Sequence, residues 1–249
     1  MRLDSRTVGT FLLVGLAIYL LSRLVSGGSL LGGLNLGQLV YIAIAFLIAI
    51  DVHEFGHAFV ADRLGDRTPR SQGRVTLNPI RHLDPFGTLM ILMTFVGGIG
   101  IGWGKPVQVN PSRIANGRQG MALVSVAGVI ANLATAIVAA IILRTGLLTL
   151  LSSASVPIET LLVAIVQINV LLAVFNFLVP LPPLDGFNFL VNVLPMRWSW
   201  QLRQIERFGP IILLLVVLGS QMGILFFNPL QYLVYDPSIW LRGVLLGVA

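Results

Sequence analysis

The chain has 249 residues, of which 56% are hydrophobic and only 10% charged, a composition that excludes a soluble globular domain and reads as a polytopic membrane protein. A formal net charge of +6 would suggest nucleic acid in a soluble chain. In a membrane protein the sharing of basic residues between loops sets topology instead, so no nucleic-acid partner is expected. There is no cysteine, which excludes disulfides and thiolate metal sites and leaves His, carboxylate or water to hold any metal.

In chain order, the apolar run 7–21 follows Arg2 and Arg6 without a small-x-small cleavage site leading into a soluble domain, so it reads as a first span rather than a signal peptide. Further apolar runs cover 37–61, 88–101, 119–143, 158–179 and 209–227. Glycines at 97, 98, 100, 102 and 104 suit a re-entrant or bent path for 88–104. Segments 73–77 and 105–109 alternate like strands and are expected to pair as a small hairpin or sheet beside the active-site cleft. The last stretch, 229–249, carries Tyr232, Tyr235, Trp240 and Arg242 and reads as interfacial or as a short lip helix. With no repeat, low-complexity tract or long polar linker, the expectation is one membrane-embedded domain over 1–249 with no soluble accessory domain. Its fold is expected to be all-α, with about five to six transmembrane helices, a re-entrant segment and that small β element.

The most informative residues are His53-Glu54-Phe55-Gly56-His57, inside the second apolar run. Helical positions i and i+4 lie about 40° apart around the axis, so both imidazoles reach one metal while Glu54 faces a water on it. The chain holds only three His and three Glu, which makes a chance match rare. Two His and a Glu in hydrocarbon are costly unless partners or a metal compensate.

Far downstream lies Pro180-Leu181-Pro182-Pro183-Leu184-Asp185-Gly186. The prolines end the preceding helix and free the backbone, so that Asp185 projects from a break at membrane depth. Alone, Asp185 reads equally well as the cap of a short helix over 187–194. Because HExxH supplies two ligands and a catalytic zinc usually has three, Asp185 gains weight as the third, and capping and ligation are compatible. Asn132, Asn169 and Asn176 suit hydrogen bonds between helices. His82 suits a loop hydrogen bond to Asp84 or a backbone carbonyl, and Asp51 points away from the two histidines, toward a supporting or channel role.

HEFGH in an early span, Asn78-Pro79-Ile80-Arg81-His82-Leu83-Asp84-Pro85-Phe86-Gly87, the GWGKPVQVN stretch 102–110 and the late PLPPLDG together resemble the site-2 protease family of intramembrane zinc metalloproteases, in its compact prokaryotic branch without a PDZ or CBS domain. The resemblance covers about residues 37–195. It implies one Zn2+ per chain held by His53, His57 and Asp185, with Glu54 activating water for peptide hydrolysis. Where the family usually has Gly-Pro-x-x-Asn, this chain reads Gly128-Val129-Ile130-Ala131-Asn132. The proline is missing, and Asn132 resembles the family's substrate-contacting or oxyanion-stabilising residue. The implied substrates are single-span membrane proteins or their trimmed remnants, such as anti-sigma factors or signal peptides. A transporter, or a scaffold without proteolytic activity, is the alternative; the absence of paired repeats argues against the first and the intact ligands and Glu against the second.

If His53, His57 and Asp185 share a metal, the spans 37–61 and 158–179 run in the same direction and 119–143 runs the opposite way. The motif side then carries thirteen basic residues, against Arg23 and Arg144 on the other. The positive-inside rule makes the motif side cytoplasmic in a multi-pass protein of the cell membrane.

Overall fold

The computed structural model describes residues 36–84, 87, 104–146, 155–221 and 223–248. The molecule is mostly helical, and its labelled helices are α1 (Leu36–Arg63), α2 (Thr68–Ser71), α3 (Pro79–His82), α4 (Gly117–Arg144), α5 (Ser155–Leu178), α6 (Asp185–Val193), α7 (Met196–Ile205), α8 (Gly209–Gln221) and α9 (Asp236–Leu246). Within α1, α4 and α5, the stretches Gly37–Arg63, Gly117–Arg144 and Ile158–Leu178 are long and apolar enough to cross a membrane. At 1.5 Å per residue even the shortest, at 21 residues, reaches about 30 Å, the thickness of the hydrocarbon core. This is a membrane protein.

These three helices pack on one another through small side chains. Ala45, Ala49, Ala58 and Ala61 of α1 and Ala136 of α4 are completely buried, and Val166 and Val170 of α5 pack in one core with Ala45 and Ala136. Small residues let backbones approach closely where lipid supplies no hydrophobic drive. The limit is reached at Gly56, where an added Cβ would lie 2.7 Å from the carbonyl oxygen of Ala127.

The expected spans at 37–61, 119–143 and 158–179 correspond to α1, α4 and α5. The expected span 7–21 and nearly all of the re-entrant segment 88–104 lie outside the described residues. Over 209–227 the helix stops at Gln221, and its 13 residues reach about 20 Å, short of a full crossing. Within 229–249 a π-helical turn (Gln231–Tyr235) leads into α9.

The expected hairpin is not formed among the described residues, where 73–77 and 105–109 run as irregular chain and β pairing is confined to an isolated antiparallel bridge between Leu83 and Gly104. Their amides are used elsewhere: Arg74 N bonds Pro69 O at 2.9 Å, Lys105 N bonds His82 O at 2.7 Å and Val107 N bonds a side chain of α1. The buried Arg74 guanidinium joins the two segments instead, donating to the carbonyls of Arg81 and Lys105. Asp66, fully buried just beyond α1, accepts from Thr68 N at 3.0 Å, Thr68 Oγ1 at 2.6 Å and Asn110 N at 2.6 Å. Burial opposes ionisation of this carboxyl, but the donors from Thr68 and Asn110 prevail and hold its pKa below the ordinary value. One side chain thus fastens the loop after α1 to the loop before α4.

Candidate metal centre

His53 and His57 sit one turn apart on α1, and their Nε2 atoms are 3.2 Å from each other. The Pro-rich turn after α5 delivers the third group. The N-cap of α6 is Leu184 in extended conformation, and Asp185 is not the cap but the first helical residue. Its Oδ2 instead lies 3.1 Å from His53 Nε2 and 3.3 Å from His57 Nε2. Among the described residues, these three are the group of His and acidic side chains whose donor atoms converge, all within 4.8 Å of one another.

The far side of each imidazole fixes what the near side offers. Asn132 Nδ2 donates to Ala49 O at 2.8 Å and Asn169 Oδ1 at 2.9 Å, so its Oδ1 is the acceptor facing His53 Nδ1 at 2.6 Å. His53 Nδ1 must therefore carry a hydrogen. The same holds for His57, whose Nδ1 lies 2.7 Å from the carbonyl oxygen of Val124. In the neutral tautomer each Nε2 is then a bare lone pair. Asp185 Oδ2 is correspondingly a buried oxygen with no hydrogen-bond partner.

Three electron-pair donors at mutual distances of 3.1 to 3.3 Å repel one another unless a cation lies between them. Zinc bonded at about 2.0–2.1 Å in tetrahedral geometry sets its ligand atoms about 3.3–3.4 Å apart, so the donor set fits zinc in spacing and in chemistry. Two imidazoles and one carboxylate also leave the fourth position open, as in catalytic zinc sites.

Glu54, on the same helix, has Oε2 3.0 Å from the backbone amide of Val107, which donates to it. Asn132 is completely buried, with its oxygen facing His53 Nδ1 and its amide donating to Ala49 O and Asn169 Oδ1, so in this arrangement it supports His53. α4 also runs unbroken through the position where the family has its proline. Asn169 makes the expected interhelical bond, while Asn176 bonds Leu172 O within its own helix. His82 is buried with Nε2 2.9 Å from Thr76 O, a backbone partner rather than Asp84. Asp51 stands outside the triad, its Oδ1 3.7 Å from His82 Nε2.

Two features escaped the sequence. The Val124 carbonyl is invisible there, since a backbone acceptor leaves no residue signature. Gly128 did leave one: a glycine inside a long helix costs about 1 kcal/mol against alanine and so calls for a reason. A Cβ on Gly128 would sit 2.5 Å from His57 Nε2 and 2.7 Å from His53 Cε1, in the space the imidazoles need.

With the geometry in place, known proteins can be compared. The chain is 34% identical over 207 residues to "Putative zinc metalloprotease YwhC" of Bacillus subtilis, covering 82% of this chain and 88% of that protein. It is 33% identical over 202 residues to "Putative zinc metalloprotease Rip2" of Mycobacterium tuberculosis, covering 79% and 74%, and 28% identical over 204 residues to its namesake in Mycolicibacterium smegmatis. No family model and no solved structure matches the chain. The extent and identity of the first match, together with the HEFGH and PLPPLDG residues that meet in space, place the chain in the site-2 protease family of zinc metalloproteases.

Proposed function

We propose that the protein is an intramembrane zinc endopeptidase that hydrolyses peptide bonds in or near the transmembrane segments of other membrane proteins. The observation that carries this reading is the convergence of three lone-pair atoms, His53 Nε2, His57 Nε2 and Asp185 Oδ2, with Glu54 next to His53 on the same helix. These three residues would hold one zinc ion per chain, which would supply Lewis acidity toward a carbonyl and toward water.

Glu54 does the proton work. Its Oε2 is held by the Val107 amide, which leaves Oε1 to take a proton from the attacking water and to return it to the leaving amine nitrogen. His53 and His57 keep their tautomers through Asn132 and Val124, so neither ring is free to turn when a substrate arrives. A helical substrate protects its own peptide bonds and must unwind before hydrolysis. The substrates are single-span membrane proteins or their remnants, and the centre faces the cytoplasm of a multi-pass cell-membrane protein.

Glu54→Gln tests the assignment. The amide oxygen still accepts from Val107, so fold and zinc content are retained, while hydrolysis of a single-span substrate in proteoliposomes drops by ~10²–10⁴ for want of a base. A folded, zinc-loaded Glu54→Gln protein that cleaves at the native rate overturns the mechanism.

A further inference from the structure

Between the apolar helices α5 and α8 the chain passes through α7 and a 3-10 turn, Glu206–Phe208. This stretch touches the rest of the protein along a narrow face. Ser199 is buried and its hydroxyl donates to Val191 O at 2.7 Å, whereas Met196 (69%), Trp198 (59%), Trp200 (66%) and Phe208 (48%) are widely exposed. Interleaved with them are Arg197, Arg203 and Arg207, against a single acid, Glu206. Arg203 and Glu206 come within 4.0 Å with both side chains more than half exposed, a contact worth little, and Arg207 lies over the Phe208 ring at 4.6 Å.

Such a surface has three conceivable neighbours. In water it would leave two tryptophans, a methionine and a phenylalanine exposed on one short segment. Against a second copy, a two-fold contact would press the same arginines together. Against a bilayer, tryptophan rings sit at headgroup level and arginines reach the phosphates. In the chain, α7 lies between the apolar helices α5 and α8. We propose that Met196–Phe208 is a docking surface for anionic phospholipid headgroups, with Trp198 and Trp200 seated at the acyl-chain boundary and the three arginines on the phosphates. Each basic residue near the surface favours an anionic leaflet by roughly fivefold. The proposal rests on the membrane embedding alone and not on the zinc chemistry.

The test uses the full chain carrying Trp103→Phe and Trp240→Phe, so that emission comes from Trp198 and Trp200 alone. In proteoliposomes containing equal fractions of brominated phosphatidylglycerol or brominated phosphatidylcholine, the expected result is several-fold stronger quenching by the brominated anionic lipid. The combined Arg197→Gln, Arg203→Gln and Arg207→Gln substitutions abolish that preference, and the matching Lys substitutions retain it. High salt weakens the preference in the parent protein, a measurement that stands if the Gln variant fails to fold. Equal quenching by the two lipids overturns the proposal, and so does emission that neither lipid quenches.

Discussion

Asn132 spends its hydrogen-bonding groups on the bundle: Oδ1 on His53, and its amide protons on Ala49 O and Asn169 Oδ1. Read as a positioning residue for His53, it makes a prediction that a substrate-contacting residue would not. Asn132→Ala should lower zinc affinity about 10–100-fold, because His53 loses the acceptor that fixes its tautomer and ring plane. A chelator competition on the purified variant measures this. Unchanged zinc affinity with a fallen kcat would return Asn132 to the oxyanion role. Here the sequence was legible only in part. The residue type and its place in a span could be read, but the partner lies 79 positions away, and an amide that can accept or donate does not announce which it does. HEFGH was legible because its chemistry is local, two imidazoles one helical turn apart, and Asp185 because the prolines before it demand a break.

At the scale of elements, two clamps hold the parts on which the centre depends. Arg118, in the first turn of α4, donates to the carbonyls of Val191 (2.7 Å) and Leu194 and to Ser199 Oγ (2.6 Å). It thereby closes the C-terminal end of the same short helix whose first residue is Asp185. A cation at a helix C-terminus also complements the helix dipole. Arg118→Ala should weaken zinc binding without touching a ligand, and Arg118→Lys should rescue only part of it, since an ammonium on a flexible stem lacks the fixed planar placement of the guanidinium nitrogen. Competition titration with the metal ranks the three proteins, and identical affinities would refute the clamp. The second clamp is Asp66. Its pKa is lower in the folded state than in the unfolded chain, so its contribution is present above the unfolded value and is lost as pH falls through the folded one. Asp66→Asn should cost about 1–3 kcal/mol at pH 7, because a side-chain amide sets a donor against the Thr68 or Asn110 amide. The gap should narrow below about pH 4, where the wild-type carboxyl takes up its proton. Thermal melts of the two proteins across this range supply the measurement. Neither clamp could be read in advance, since each depends on side chains meeting loops that composition marks only as polar.

For the whole molecule, the helices that supply the donors constrain how the chain crosses the bilayer. His53 and His57 lie toward the C-terminal end of α1, and Asp185 follows the C-terminal end of α5, so contact among them requires α1 and α5 to run the same way, with α4 returning between them. Apolar runs made these three membrane-length helices legible, whereas the hairpin is not formed among the described residues: alternation cannot tell a paired strand from a loop whose amides are claimed by side chains. The structure adds a cross-link to the scheme: Asp66 binds Asn110 N and Arg74 binds the Lys105 carbonyl, so the loop after α1 and the loop before α4 are fastened to each other and must lie on one side. Arg144, at the opposite end of α4, lies a full helix length away. A chain without cysteine gives a clean background for single-cysteine labelling. Cysteines introduced at Arg70 and Arg113 should react with a membrane-impermeant maleimide only when the cytoplasmic face is open, and one at Arg144 only from the other side. Opposite accessibility of positions 70 and 113 would contradict the loop-to-loop bonds themselves. Joint labelling of both from outside would leave the fold intact and invert the membrane orientation drawn from the thirteen basic residues, which moves the proposed peptidase centre, and the pool of substrates it can reach, to the other face of the membrane.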